Sequence, residues 1–252
     1  MGKIPLASGL RTLFTVLGAL MLATLLYTIF TDGLPFRKEL LTPWMAATLV
    51  DFYINIVPFS VWIAYKESNW ISSLLWIIFL VCFGSITTSA YIVLQFVKLS
   101  SQECSQDPMY YVLLRHPHKN DAEPKGKISF VAMLRIIFSI LGVVMLGTLV
   151  YTLVTDGSPF RTELLTPWMV ATLVDFYINV TALAVWVAYK ESSWICAVLW
   201  IILLICFGSI TTCVYIVCQL LQISIQDHAY LVLVPHGDRD KKSDKIIPAQ
   251  IL

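Results

Sequence analysis

At 252 residues, 58% hydrophobic and only 13% charged, the chain has too little polar surface to fold as a water-soluble domain. Its formal net charge of +1 provides no basic field for a nucleic-acid partner. A mean hydropathy of +0.78 points instead to an integral membrane protein whose first partner is the lipid bilayer.

Crossing a bilayer takes about 20 apolar residues as a helix. Six runs meet that length, at about 12–31, 44–65, 70–97, 135–155, 168–189 and 194–221. The first is too long for the apolar core of a signal peptide, and MGKIPL carries Leu6 where a myristoylation motif requires Ser or Thr. No transit peptide is expected, so an endomembrane or plasma-membrane location is favoured over an organelle. Gly33 is placed to cap the first helix in a left-handed conformation. Thr42-Pro43 reads as an N-cap followed by proline at the first helical position. Lys66-Glu67-Ser68-Asn69 reads as a tight polar turn. Trp44, Trp62, Tyr65, Trp70 and their later counterparts are expected in an interfacial aromatic belt.

The same signals return 124 positions later. Aligned without gaps, residues 11–99 and 135–223 are identical at more than half of their positions. The expected organisation is a first three-helix repeat over 1–97, a polar linker over 98–133, a second repeat over 134–222 and a charged tail over 223–252. Three crossings bring a chain out on the far side, so the second copy is expected upside down. The predicted fold is therefore all-α, with six transmembrane helices in two tandem repeats of inverted topology. Lys and Arg divide 8 to 9 between the two sides, which leans only slightly toward a cytosolic linker.

Each copy carries an aspartate and an asparagine where lipid normally excludes them: Asp51 with Asn55, and Asp175 with Asn179. Asp51 lies about 10 Å into the hydrocarbon, where a charged aspartate costs about 2.5 kcal/mol or more. Such a group must be protonated, paired or wet. In inverted copies the two acids would converge near the midplane as a site for a cation, a proton or a polar solute. The bland alternative is that they hydrogen-bond neighbouring helices and hold the bundle together. Gly84, Thr88, Tyr91 and Gln95, matched by Gly208, Thr212, Tyr215 and Gln219, form a supporting polar face with a small-residue spacing suited to close helix packing. Arg37 and Arg161 sit in matching interfacial loops, where pairing with a carboxylate or binding an anionic head group both fit.

No metal centre, cofactor or catalytic arrangement is expected. The six cysteines, Cys82, Cys104, Cys196, Cys206, Cys213 and Cys218, read as free thiols, and His116 with His118 lacks a third ligand.

The segments TDGxPFRxELLTPWMxATLVDFYIN, WxAYKESxWI and CFGSITTxxYIVxQ, present in both halves, resemble a plant membrane-protein family catalogued as domain of unknown function 1475. That resemblance implies a plant-type host and a multi-pass membrane location, and supplies no catalytic residues. The expectation is a small-solute, ion or proton transporter or channel. The alternatives are a non-catalytic scaffold or assembly factor and, behind it, an intramembrane enzyme acting on lipid or isoprenoid substrates.

Overall fold

The computed structural model describes residues 3–114, 130–224 and 229–235. His116, His118, much of the expected linker and most of the charged tail lie outside them. Among the described residues all regular structure is helical. The α-helices are α1 (Lys3–Asp32), α2 (Pro43–Lys66), α3 (Trp70–Phe83), α4 (Ser85–Val97), α5 (Ser101–Gln106), α6 (Pro108–Leu113), α7 (Phe130–Asp156), α8 (Pro167–Lys190), α9 (Trp194–Phe207) and α10 (Ser209–Leu221). Of these, α1, α2, α7 and α8 are long and apolar enough to cross a membrane. Their apolar windows differ in burial: 17% in α1 and 22% in α7, against 39% in α2 and 44% in α8. The first pair therefore turns most of its surface outward, and the second pair forms more of the protein interior.

The caps follow local chemistry. Gly33 and Gly157 close α1 and α7 with φ of 76° and 75°, their N–H groups reaching the carbonyls of Ile29 and Leu153. The hydroxyls of Thr42 and Thr166 each accept from a backbone N–H three residues on, at 3.2 Å. Helix α2 runs unbroken through Pro58.

The third apolar run of each copy is not the single span expected over 70–97 and 194–221. It breaks at Gly84 and at Gly208, with φ/ψ of 52°/−127° and 53°/−127°. These are the angles of the first corner of a type II′ turn, which favours glycine. Beyond the break the chain folds back. In a straight helix Trp76 and Tyr91 would stand about 22 Å apart, yet their ring centroids are 5.0 Å apart. The Tyr91 hydroxyl also donates to Glu67 Oε1 at 2.9 Å, at the start of the hairpin. Thr87 Oγ1 donates to the Phe79 carbonyl at 2.9 Å across the inside of the bend. Gly84 is thus a corner and not, as its spacing suggested, part of a packing stripe.

The chain divides into two compact units. Unit 1 comprises Met1–Arg115 and Val143–Thr181. In it α4 packs along α1, where a Cβ on Gly18 would stand 3.1 Å from Ser89 Cβ, so glycine permits the approach. Helices α5 and α6 pack against α1, and α6 also meets α4. A buried cluster joins Trp44 and Met45, in the first turn of α2, to Trp168, Met169 and Ala171, in the first turns of α8. The starts of α2 and α8 therefore lie side by side. Inverted copies would put them at opposite faces of a bilayer, so this contact lends no support to the inverted arrangement expected from three crossings per copy. The same cluster removes Trp44 and Trp168, each 7% exposed, from the expected lipid-facing belt. Trp70 at 74% and Trp194 at 80% exposed keep the outward position.

Unit 2 comprises His116–Gly142 and Ala182–Leu252. Its hairpin, α9 and α10, repeats the fold-back: Trp200 and Tyr215 stand 5.0 Å apart, and Thr211 Oγ1 donates to the Leu203 carbonyl at 2.9 Å. A Cβ on Gly142 of α7 would meet Cys213 Cβ at 3.2 Å. Arg135 Nη2 donates to the carbonyls of Leu220 at 2.8 Å and Ile223 at 2.6 Å, satisfying the open end of α10.

Candidate functional site

Helix α4 begins in the protein interior, and its exposed N–H groups need an acceptor. Asp175 of α8 supplies it: Ser85 N donates to Asp175 Oδ1 at 2.7 Å. The carboxylate also lies where the partial positive end of the half-helix favours it. One turn further along each helix, Thr88 Oγ1 donates to Asn179 Oδ1 at 2.7 Å, with both residues buried. Two of the predicted intramembrane polar residues, Asp175 and Asn179, thus read successive turns of α4. The described partner of Asp175 is Ser85, so this acid is not held in a carboxylate pair with Asp51.

Glycine is needed at the corner for a second reason. A Cβ on Gly84 would stand 2.7 Å from Asp175 Oδ1 and 2.8 Å from Phe52 Cζ. The close approach that seats the carboxylate leaves no room for a side chain.

A cavity of about 410 Å³ opens at this point, within the range of small-molecule sites. Its walls are chiefly apolar, among them Met21 and Leu25 of α1, Phe52 of α2, and Trp168 of α8. Asp175 and Gly84 lie at one part of the lining and the Leu34–Arg37 loop at another. Tyr53 and Phe83 also line it, and they are 45% and 51% exposed on the outward surface of α2 and α3.

The other predicted residues are placed as follows. Asp51 is half-buried and Asn55 fully buried on α2. Thr88, Tyr91 and Gln95 are buried on α4, and Thr212, Tyr215 and Gln219 on α10. Tyr215 Oη and Gln219 Nε2 donate to Glu191 Oε1 at 2.7 and 3.3 Å. Arg37 pairs with Asp32 at 2.8 Å and Arg161 with Asp156 at 2.7 Å, each within its own loop. The loop-holding reading of these arginines is the one their contacts support. None of the six cysteines forms a disulfide among the described residues.

Sequence reasoning missed the role of the lysines, which it read as part of a polar turn. Lys66 Nζ donates to the carbonyls of Tyr111 at 2.7 Å and Leu114 at 2.5 Å, beside a bond from Trp62 Nε1 to the Leu113 carbonyl at 3.1 Å. Lys190, fully buried, donates to the carbonyls of Val232 and Val234. A signal was available: Gln-Asp-x-x-Tyr-x-Val-Leu occurs at 106–113 and again at 226–233, outside the gapless alignment. Each copy carries a short segment that returns to the lysine at the end of its second helix.

Four long apolar helices, polar groups turned inward and apolar side chains turned outward are what an integral membrane protein requires. The chain belongs to the family described as Protein of unknown function (DUF1475), whose model matches residues 8–240. No curated protein and no solved structure matches it.

Proposed function

We propose that the protein crosses the membrane four times, through α1, α2, α7 and α8, and that the hairpins α3–α4 and α9–α10 are re-entrant. Two crossings per copy return the chain to its starting side, so both copies enter from that side. This reading is supported by the fold-back at each glycine and by the adjacent starts of α2 and α8. A cysteine-free protein carrying either Leu34→Cys or Ser158→Cys tests it. Both thiols are expected to react with an impermeant maleimide from the same side of sealed vesicles; reaction from opposite sides would restore the inverted arrangement.

The function this geometry supports best is transport of a small solute. The observation that carries it is an acid seated on the N-terminus of a discontinuous helix, beside a cavity. Broken helices in membranes serve where they line a cavity, because their freed backbone groups and end dipoles act on whatever occupies it. The scaffold reading also has specific support, in the hydrogen bonds from Thr88 to Asn179 and from Tyr91 to Glu67, which tie helices together. Flux into proteoliposomes separates them. With a panel of protons, potassium and organic cations, both small and long-chain, a transporter moves at least one solute and Asp175→Asn slows it by about tenfold or more. A protein that folds in vesicles and moves none of them is a scaffold.

A further inference from the structure

The cavity at Asp175 combines three features that together specify a ligand. Its walls are apolar over most of their extent. Tyr53 and Phe83, which line it, are also exposed on the outward faces of α2 and α3, so it is accessible from the surface those helices present. Its acid, Asp175, has Ser85 as its one partner among the described residues, leaving acceptor capacity on a group that can accept about four hydrogen bonds. Arg37 also lines the cavity, but its guanidinium is engaged by Asp32 Oδ1 at 2.8 Å and by the Asp32 and Leu34 carbonyls. The Arg37 charge is thus balanced by Asp32, and the lining charge without an opposite charge among the described contacts is that of Asp175.

We infer that this cavity binds a long-chain amine: an amphiphile whose protonated nitrogen meets Asp175 and whose hydrocarbon body lies along Met21, Leu25, Phe52 and Trp168. The inference rests on the transport reading for its physiological purpose and names that site's solute class. The recognition itself needs only charge complementarity and apolar contact. In a low-dielectric wall an ammonium–carboxylate hydrogen bond is strong, and each buried methylene adds about 0.8 kcal/mol. A fatty acid of the same length gains the second contribution and is repelled at the first.

Trp168 in the lining provides the readout. Full-length protein in nanodiscs is titrated with a bromine-labelled long-chain primary amine, and tryptophan quenching is compared with that of Trp168→Phe protein. Saturable quenching is expected in the wild type and is lost with Trp168. The bromine-labelled fatty acid of equal length is expected to bind at least about tenfold more weakly, the effect of one charged hydrogen bond. Asp175→Asn, which keeps an acceptor for Ser85 N, should weaken amine binding by about tenfold and abolish the preference over the acid. Thr172→Phe narrows the cavity at a side chain whose only described bond is to its own helix, and should weaken both ligands equally. It carries the test if the Asp175 variant does not fold. Equal binding of amine and acid by the wild type, or unchanged amine binding in the variants that fold, overturns the inference. Amine bound without flux of any solute removes the transport reading and leaves the ligand class standing. Flux of another solute without amine quenching does the reverse.

Discussion

The two hairpins agree at the corner and differ at the closing end. At Gly84 and Gly208 the backbone angles match within a degree, the threonine three residues on reaches back to a carbonyl at 2.9 Å, and a Trp–Tyr ring pair sits at 5.0 Å. At the closing end the acid is satisfied by different donors. Glu67 accepts from Ser72 Oγ and Tyr91 Oη, both at 2.9 Å, whereas Glu191 accepts from Tyr215 Oη and Gln219 Nε2. Cys196 stands where the first copy has Ser72, and a thiol is a poor donor, so the glutamine takes over. A corner is a backbone conformation that favours one residue type. An acceptor needs only two donors and accepts them from wherever they come.

The largest effect should therefore come from the corners. Gly84→Ala places a Cβ against Asp175 and Phe52 in a conformation costing about 1–2 kcal/mol for any L side chain. Displacing the carboxylate from Ser85 N adds about 1.5–3 kcal/mol for a hydrogen bond to a charged group. A loss of about 3 kcal/mol or more is expected in reversible unfolding in mixed micelles. Gly208→Ala carries the same backbone strain and should also destabilise by at least about 1 kcal/mol. Unchanged midpoints for both variants would show that neither glycine holds a corner.

Much of this was legible in the sequence and one decisive part was not. The caps at Gly33, Thr42, Gly157 and Thr166 follow from local chemistry and stand where the residues put them. The membrane class follows from composition, and Asp175 and Asn179, polar residues within an apolar run, both hydrogen-bond α4. The corner was not visible because 70–97 is as apolar as a true span, and a lone glycine is common within membrane helices. Hydropathy measures whether a segment tolerates lipid and says nothing of whether it turns back. The expected inverted arrangement depended on an odd number of crossings per copy, and a turn at the glycine removes the basis for that count. The lysine-docked segments escaped because the second copy is shifted by a few residues after 223, beyond the reach of a gapless alignment.

The lysines give the next largest difference and test how burial separates the copies. Lys190 is fully buried with two carbonyl partners, and Lys66 is half-buried with two. Replacing Lys190 with Met strands the carbonyls of Val232 and Val234 out of water, for about 2–3 kcal/mol. Replacing Lys66 with Met leaves its carbonyls nearer solvent and should cost about 1–2 kcal/mol. Protease nicking near 106–113 and near 226–233 reads the two segments separately. Lys66→Met should expose only the first and Lys190→Met only the second. If either variant opens both, the segments do not dock independently.

The smallest effect is also the most direct test of donor exchange. Ser72→Cys gives the first copy the residue type of the second and takes one of two donors from Glu67, leaving Tyr91. Gln95, the counterpart of Gln219, is buried on α4 but does not reach Glu67 in the native arrangement. If donors are interchangeable, the vacated carboxylate oxygen should draw Gln95 in, and the net loss should stay below about 1 kcal/mol. Gln95→Leu should then be nearly silent in the wild type and cost about 1 kcal/mol more in the Ser72→Cys background, a coupling that a double-mutant cycle isolates. In the second copy the order reverses, because Gln219 already donates: Gln219→Leu alone should show the loss, and adding Cys196→Ser should restore it. Additive behaviour in both cycles would mean that each closing end is built around its own donors, and that the likeness of the hairpins extends no further than their corners.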